Sequence, residues 1–268
     1  METNQYQNLY NYIKKLGKVA IAFSGGVDSS VISKIAYDGL KDNAIAITVA
    51  SESFSRKSFI NAVKISYEIG IKHIIFKTDK TKSEEYSKNT LLRCYYCKKI
   101  DSRILKNYAA KNNIQYICDG VNIDDLGDYR PGLKATGEEN ILHPFVIYHL
   151  TKNDIRNIAR DLRLSNSNMP ADSCLASRLL YGEQVTSKKL SQIAEAENFL
   201  LSIGFSNVRV RLKDGVARIE LPKNEMHRLL EDNKYEQVSS YLKSIGFSYV
   251  TLDLEGLRKG AINANTRS

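Results

Sequence analysis

The sequence predicts an α/β protein, a doubly wound and mostly parallel sheet with helices on both faces, followed by a smaller α+β C-terminal domain. Three observations predict it. Short apolar runs alternate with helical periodicity through the first half, the pattern of successive βαβ units. A glycine- and serine-rich string stands at a strand-to-helix junction. From about Thr186 the character changes, and two similar phrases follow, Ser202–Leu212 (SIGFSNVRVRL) and Ser244–Leu254 (SIGFSYVTLDL). The domains are therefore placed at 1–185 and 186–268.

The elements follow in order. Val19–Phe23 (VAIAF), bounded by Gly17 and Ser24, reads as a buried strand. Ser29–Leu40 carries Val31, Ile32, Ile35 and Ala36 at helical spacing. Ala44–Ala50 is a second strand, Arg56–Ile69 a second helix and His73–Phe76 a third strand. A helix is predicted over Leu92–Asn112, and Tyr116–Asp119 is the fourth strand. Asp119–Glu139 holds Gly120, Gly127, Gly132 and Gly137 among acidic residues, so it reads as a long loop. Loops at strand carboxyl ends are where open α/β sheets build their sites. Thr151–Arg163 resumes helical periodicity, and Ser165–Ser177 is irregular around Pro170 and Cys174. Ser187–Ser202 is an amphipathic helix. Val208–Leu212 and Val216–Leu221, joined by Lys213-Asp214-Gly215, form a hairpin, and Pro222 opens a further helical stretch.

Composition sets the outer bounds. With 43% hydrophobic and 26% charged among 268 residues, the chain is globular, which argues against disorder or a fibrous fold. Only 4 Pro and 15 Gly exclude long flexible linkers. The formal charge of +9 favours anionic partners: nucleotides, nucleic acid or phosphorylated metabolites. No apolar run approaches the roughly 20 residues that span a bilayer. Met1–Leu16 lacks the apolar core and cleavage site of a signal peptide, so a cytoplasmic, reducing location is expected. The 4 Cys are then reactive, metal-binding or core residues rather than structural disulfides.

The strongest signal is Phe23-Ser24-Gly25-Gly26-Val27-Asp28-Ser29-Ser30. It leaves a buried strand and enters a helix, so its backbone N–H groups point to where an anion sits. Gly25 and Gly26 are read as turning with positive φ and admitting oxygens without Cβ interference. Ser24, Ser29 and Ser30 add hydroxyls, and Asp28 orients the loop or holds Mg²⁺. The string is neither G-x-x-x-x-G-K-[ST] nor G-x-G-x-x-G. A plain glycine turn with a capping serine is the bland alternative.

Cys94 and Cys97 stand at i and i+3, one face of a helical turn. A lone C-x-x-C is open to zinc, iron–sulfur, redox or accidental readings. Cys174 lies far along the chain, in Pro170–Leu175. Three thiols can hold three irons of a cubane and leave the fourth open, whereas structural zinc wants a fourth ligand and no His is near in sequence. Cys118, inside the fourth strand, reads as core. Arg209 and Arg211 alternate along a strand and suit phosphate, with Arg178 a further candidate; a solvated basic stripe is the alternative. Asp124, Asp125 and Glu138 are candidates for Mg²⁺ or ribose, although acidic loop residues are usually just solvated. Tyr129-Arg130-Pro131-Gly132 reads as a stiffened loop of unassigned role.

Ala22–Ser30 resembles the signature of the PP-loop ATP pyrophosphatases, with an adenine nucleotide α-hydrolase-like fold. That resemblance implies attack of a carboxylate, amide or carbonyl oxygen on the α-phosphate of ATP, with Mg²⁺, leaving an adenylate and pyrophosphate. It implies an ATP site of Ala22, Ser24, Gly25, Gly26, Val27, Asp28, Ser29, Ser30, Val49 at the end of the second strand, Gly120 and Asp125. Further stretches, Asp119–Gly132, Pro170–Arg178 and Val208–Arg211, resemble the LarE sulfur transferases over essentially the whole chain. LarE proteins serve biosynthesis of the nickel-pincer nucleotide cofactor of lactate racemase.

The LarE resemblance implies a pyridinium dicarboxylate mononucleotide substrate, whose carboxylates are adenylylated and then converted to thiocarboxylates. One branch surrenders the sulfur of the cysteine at the place of Cys174. The set Cys94, Cys97 and Cys174 resembles the other branch, with a 4Fe–4S cluster whose open iron carries the delivered sulfide. The implied partners are a sulfide or cysteine-desulfurase donor, other nickel-pincer biosynthesis proteins, and further copies of the chain in a homo-oligomer. The runner-up is a PP-loop tRNA thiolase, which the basic pI suits; no separate RNA-binding domain, aromatic stripe or zinc knuckle supports nucleic acid. A third reading is a zinc-stabilised nucleotide-binding protein without activity, against which Asp28 and the full serine set argue.

Overall fold

The computed structural model describes residues 3–127, 130–170, 172–231 and 233–258. In chain order the elements are α1 (Thr3–Lys15), β1 (Val19–Ala22), α2 (Val27–Leu40), β2 (Ala44–Ala50), α3 (Arg56–Ile69), β3 (Lys72–Lys77) and α4 (Glu84–Ser87). There follow α5 (Arg93–Lys111), β4 (Tyr116–Cys118), α6 (Pro131–Glu138), α7 (Pro144–Ile147), α8 (Lys152–Asp161) and α9 (Ser187–Ser202). The last are β5 (Arg209–Lys213), β6 (Val216–Glu220), α10 (Lys234–Ser244) and β7 (Tyr249–Leu252). The chain forms two compact units. One takes the residues up to Lys80 together with Leu91–Asp172; the other takes Thr81–Thr90 and the residues from Ser173 onward. The division thus falls at Ser173, ahead of the change of character at Thr186.

In the first unit all strand pairs are parallel, in the order β3-β2-β1-β4. Alternation along the strands splits the core. Val19 and Ile21 face α1, α2, α3 and α8, whereas Ala20, Ile45 and Ile47 face α5 through Leu105 and Ala109. The chain runs from β1 through β2 to β3 on one side, then returns to place β4 on the other side of β1. Strand order therefore reverses between β1 and β4, and the loops after these two strands meet at the crevice such a reversal creates.

Two regions differ from their sequence reading. Residues 3–15, read only as a polar start, form α1, whose Leu9 and Ile13 are wholly buried on the core while Tyr6 and Tyr10 pack beside them. The long loop expected over Asp119–Glu139 instead contains a 3-10 turn, Ile123–Gly127, and then α6. Pro131 at the first helical position has its φ already set for a helix. A Cβ on Gly132 would come 3.1 Å from Lys98 Cγ and 3.5 Å from the Cys94 carbonyl oxygen, so this glycine lets α6 lie close on α5.

In the second unit β5 and β6 pair antiparallel and β7 adds parallel to β6. Asp214 and Gly215, both at positive φ, make the hairpin turn. The two similar phrases are two copies of one helix ending. Gly204 and Gly246 stand at φ +97° and +103°. The Phe205 amide donates to Leu200 and the Phe247 amide to Leu242, closing the same glycine cap before β5 and β7. The helical stretch opened by Pro222 begins as a 3-10 turn, Lys223–Leu229, and α10 follows it.

Candidate functional site

The loop from Phe23 to Ser30 is held by hydrogen bonds from its own serines and from two asparagines. The Ser29 and Ser30 hydroxyls donate to the Gly26 carbonyl at 3.0 and 2.8 Å, and the Ser24 hydroxyl accepts the Gly26 amide at 3.3 Å. Asn166 bridges the Gly25 carbonyl and the Ser30 hydroxyl, 2.9 Å to each, and Asn61 donates to the same carbonyl. Only Gly25 has positive φ, +74°. A Cβ there would stand 2.6 Å from the Ala62 backbone. Gly26 sits at φ −72°, and its nearest obstacle is Ser24 Oγ at 3.4 Å. The expectation of positive φ at both glycines is therefore corrected: Gly25 is required by packing on α3, and Gly26 is open space above the loop.

The neighbours of this loop come from three further places. Thr48 in β2 donates to the Phe23 carbonyl at 2.7 Å, one residue before Val49. A Cβ on Gly120, just after β4, would meet the backbone of Asp28 and Ser29 at 2.8 Å, so the second loop closes directly on the first. From the start of α8 the Lys152 ammonium reaches both carboxylate oxygens of Asp28, one at 2.5 Å. Burial raises the Asp28 pKa, and Lys152 only partly offsets this. Lys152 was missed in the sequence because its partner lies 124 residues away. The visible trace was Thr151-Lys152 at a helix start, capped through Thr151 and Asp154.

The acidic candidates serve the loop itself. Asp124 accepts the Lys152 amide at 2.8 Å, and Asp125 accepts the Asn122 amide while pairing with Arg130. Glu138 lies elsewhere: it accepts the Tyr95 hydroxyl and pairs with Lys99, tying α6 to α5. Asp128 and Tyr129, and Ala171 in the segment before Cys174, lie outside the described residues.

Cys94 and Cys97, neither in a disulfide, stand at the start of α5, one exposed and one half-buried. Each has a cation at its sulfur: an Arg93 nitrogen 3.9 Å from Cys94 Sγ, and Lys80 Nζ 3.1 Å from Cys97 Sγ. Burial disfavours the Lys80 charge, but Asp101 and Cys97 outweigh it and hold its pKa above the ordinary lysine value. Cys118 is buried in the core, and burial with Asp119 beside it pushes its thiol up to about 12.

In the second unit Cys174 is a free, exposed thiol at the entry to the 3-10 turn Leu175–Arg178. Arg178 and Arg211 hold this turn from inside. Arg178 is buried, forked onto Glu197 at 2.8 and 3.2 Å, and donates to the Ser173 carbonyl at 2.9 Å. Glu197 also accepts the Val210 amide at 3.0 Å, joining the turn to β5. Arg211 is forked onto the buried Glu220 and donates to the Ser177 carbonyl at 3.0 Å. Arg209 is half-buried and donates to the Arg258 carbonyl. Glu197 was legible as a carboxylate on the apolar stripe of Leu190, Ile193 and Leu200.

Among the described residues no three His, Cys, Asp or Glu side chains are grouped to hold a metal ion, and no helix is long and apolar enough to cross a membrane.

A parallel sheet that delivers a serine–glycine loop into a helix at its switch point, closed by Gly120 just after β4, defines a nucleotide-binding enzyme of the PP-loop class. The sequence pattern of the NAD synthase family matches residues 3–118. The chain is 38% identical to the pyridinium-3,5-bisthiocarboxylic acid mononucleotide synthase of Lactiplantibacillus plantarum, covering 94% of this chain and 91% of that one. It is 38% identical to an uncharacterized protein of Synechocystis, with 98% of each covered, and 33% identical to one of Methanocaldococcus jannaschii, with 89% and 90% covered. The chain belongs to the LarE family of sulfur transferases.

Proposed function

We propose that this protein is an ATP-dependent sulfur transferase that adenylylates the carboxylates of a pyridinium dicarboxylate mononucleotide and converts them to thiocarboxylates. The observation that carries the reading is the match to the named synthase, which extends through both the phosphate loop and the Cys174 turn. The loop amides and hydroxyls from Ser24 to Ser30 grip the β- and γ-phosphates, and Val49 and Gly120 border the nucleotide. Lys152 releases Asp28 when phosphate competes for its ammonium, which frees the carboxylate to orient Mg²⁺. That ion, when bound, neutralises charge on the departing pyrophosphate. Arg209 supplies phosphate recognition to the mononucleotide, with Arg178 and Arg211 setting the shape of the turn beside it.

The chemistry of three cysteine thiols supports an iron–sulfur cluster as the sulfur carrier. Cys94, Cys97 and Cys174 are not in disulfides, the first two share one helical turn, and the cations near those two sulfurs suit an anionic cluster. Cys94, Cys97 and Cys174 would hold such a cluster, and it would supply the transferable sulfide. The decisive experiment is anaerobic turnover with ATP, Mg²⁺, sulfide and either the mononucleotide or tRNA, following pyrophosphate and thiocarboxylate. Pyrophosphate release dependent on the mononucleotide is the expected result; stimulation by tRNA alone overturns it.

A further inference from the structure

Among the described residues Lys80 is the one buried lysine, with 4% of its surface exposed. An ammonium taken out of water is costly to hold unless it is paired. Its partners are Asp101 Oδ1 at 2.6 Å and Cys97 Sγ at 3.1 Å. Cys97 and Asp101 are four residues apart in α5 and stack on one helix face, and Lys80 meets both from the turn after β3. Asp101 Oδ2 also accepts from the Cys97 thiol at 3.9 Å, a longer contact than that of the ammonium at 3.1 Å. The companion thiol is treated differently, since the Arg93 contact to Cys94 is also 3.9 Å. An ion pair that merely tied the turn to α5 has no need of the sulfur.

We propose that Lys80 is a positioning residue of the sulfur-transfer centre: held by Asp101, its ammonium donates an N–H···S hydrogen bond to Cys97 as that sulfur ligates the iron–sulfur cluster, orienting the ligand and raising the cluster's reduction potential. The proposal rests on the cluster reading above. Its physics is general. Hydrogen bonds to ligand sulfurs and nearby charge set iron–sulfur potentials, and a fixed cation favours the more negative, reduced cluster. Partners behind the ligands also hold them in the geometry the metal needs.

The test uses the full chain, reconstituted anaerobically with iron and sulfide. Iron and acid-labile sulfide are counted, and the midpoint potential is measured by electron paramagnetic resonance during redox titration. Four proteins are compared: wild type, Lys80→Arg, Lys80→Met and the double variant Lys80→Met with Asp101→Leu. The double variant removes both charges together, so no carboxylate is left buried alone. Wild type and Lys80→Arg should share one potential, and both Met variants should move to more negative potential at equal iron content. Loss of the cluster from the Met variants alone, with unchanged apo-protein melting temperatures, supports the same role. A full cluster at the wild-type potential in the double variant overturns the proposal by itself, as does loss of the cluster from Lys80→Arg. A wild-type protein that takes up no cluster overturns the cluster reading as well, so the two failures are told apart.

Discussion

The phosphate loop and the Cys174 turn are both short connections that must hold a reactive geometry, and they are anchored by opposite means. The loop after β1 is fixed by neutral groups: hydroxyls on the Gly26 carbonyl, and the Asn61 and Asn166 amides on the Gly25 carbonyl. Ser24 and Ser29 also take up the loop's own Gly26 and Ser24 amides, so none of these bonds involves a charged side chain. The Cys174 turn is fixed by two buried guanidinium–carboxylate pairs, Arg178–Glu197 and Arg211–Glu220, that also clasp its backbone carbonyls. Those arginines spend their charge internally. A loop at a strand-to-helix junction can thus be anchored by dipoles, whereas the turn that presents the exposed Cys174 is stiffened by ions whose fields largely cancel.

The largest expected effects separate the two regions by step. Asp28→Ala should abolish pyrophosphate release. Cys94→Ser, Cys97→Ser and Cys174→Ser should each stop thiocarboxylate formation yet leave pyrophosphate release largely intact, because the loop is made of other residues. Cys118→Ser should affect neither step beyond a modest packing cost. Intact-protein mass spectrometry before and after one anaerobic turnover sharpens this. An unchanged mass is expected from the cluster reading; a loss of H₂S mapped to Cys174, with full activity in Cys94→Ser and Cys97→Ser, restores the sacrificial mechanism.

The second effect is on stability. Glu197→Ala leaves Arg178 buried without its carboxylate and strips the Val210 amide of an acceptor, so a loss of about 3–5 kcal/mol is expected. Asn166→Ala removes neutral hydrogen bonds from the phosphate loop and should lose about 1–3 kcal/mol. Urea unfolding of both variants measures the difference. Equal losses would mean that the two loops are not anchored by different physics after all.

These anchors were the part least visible in the sequence, and the reason is physical. The sheet was legible because burial on both faces writes continuous apolar runs such as Val19–Phe23, and the loop because glycine and serine at a strand-to-helix junction have few other uses. Helix α6 was hidden by its own function: Gly132 and Gly137 suggested a loop, but Gly132 serves the close approach to α5. Arg178 and Arg211 looked like phosphate ligands because a strand pattern shows which side chains share a face and not which carboxylate waits there. Lys152 and Lys80 were missed for the same reason. Each is defined by a partner on another element, Asp28 or Asp101 with Cys97.

The smallest effect tests whether the two loop glycines divide structure from binding. Gly25→Ala places a side chain at φ +74° and drives its Cβ into the Ala62 backbone, which has no flexible end to give way. The left-handed backbone alone costs roughly 1–2 kcal/mol, and the clash adds to it. Gly26→Ala meets neither problem, since its φ of −72° suits any residue and its nearest neighbour, at 3.4 Å, is the movable Ser24 hydroxyl. Its stability should stay within about 0.5 kcal/mol of wild type. ATP binding should show the reverse order of consequence per unit of stability lost, because in the function proposed above the phosphates lie over Gly26. Thermal unfolding and ATP titration on the two variants read the two quantities separately. A Gly26→Ala protein that binds ATP as wild type does would remove Gly26 from the phosphate site and leave Gly25 as the only constrained glycine of the pair.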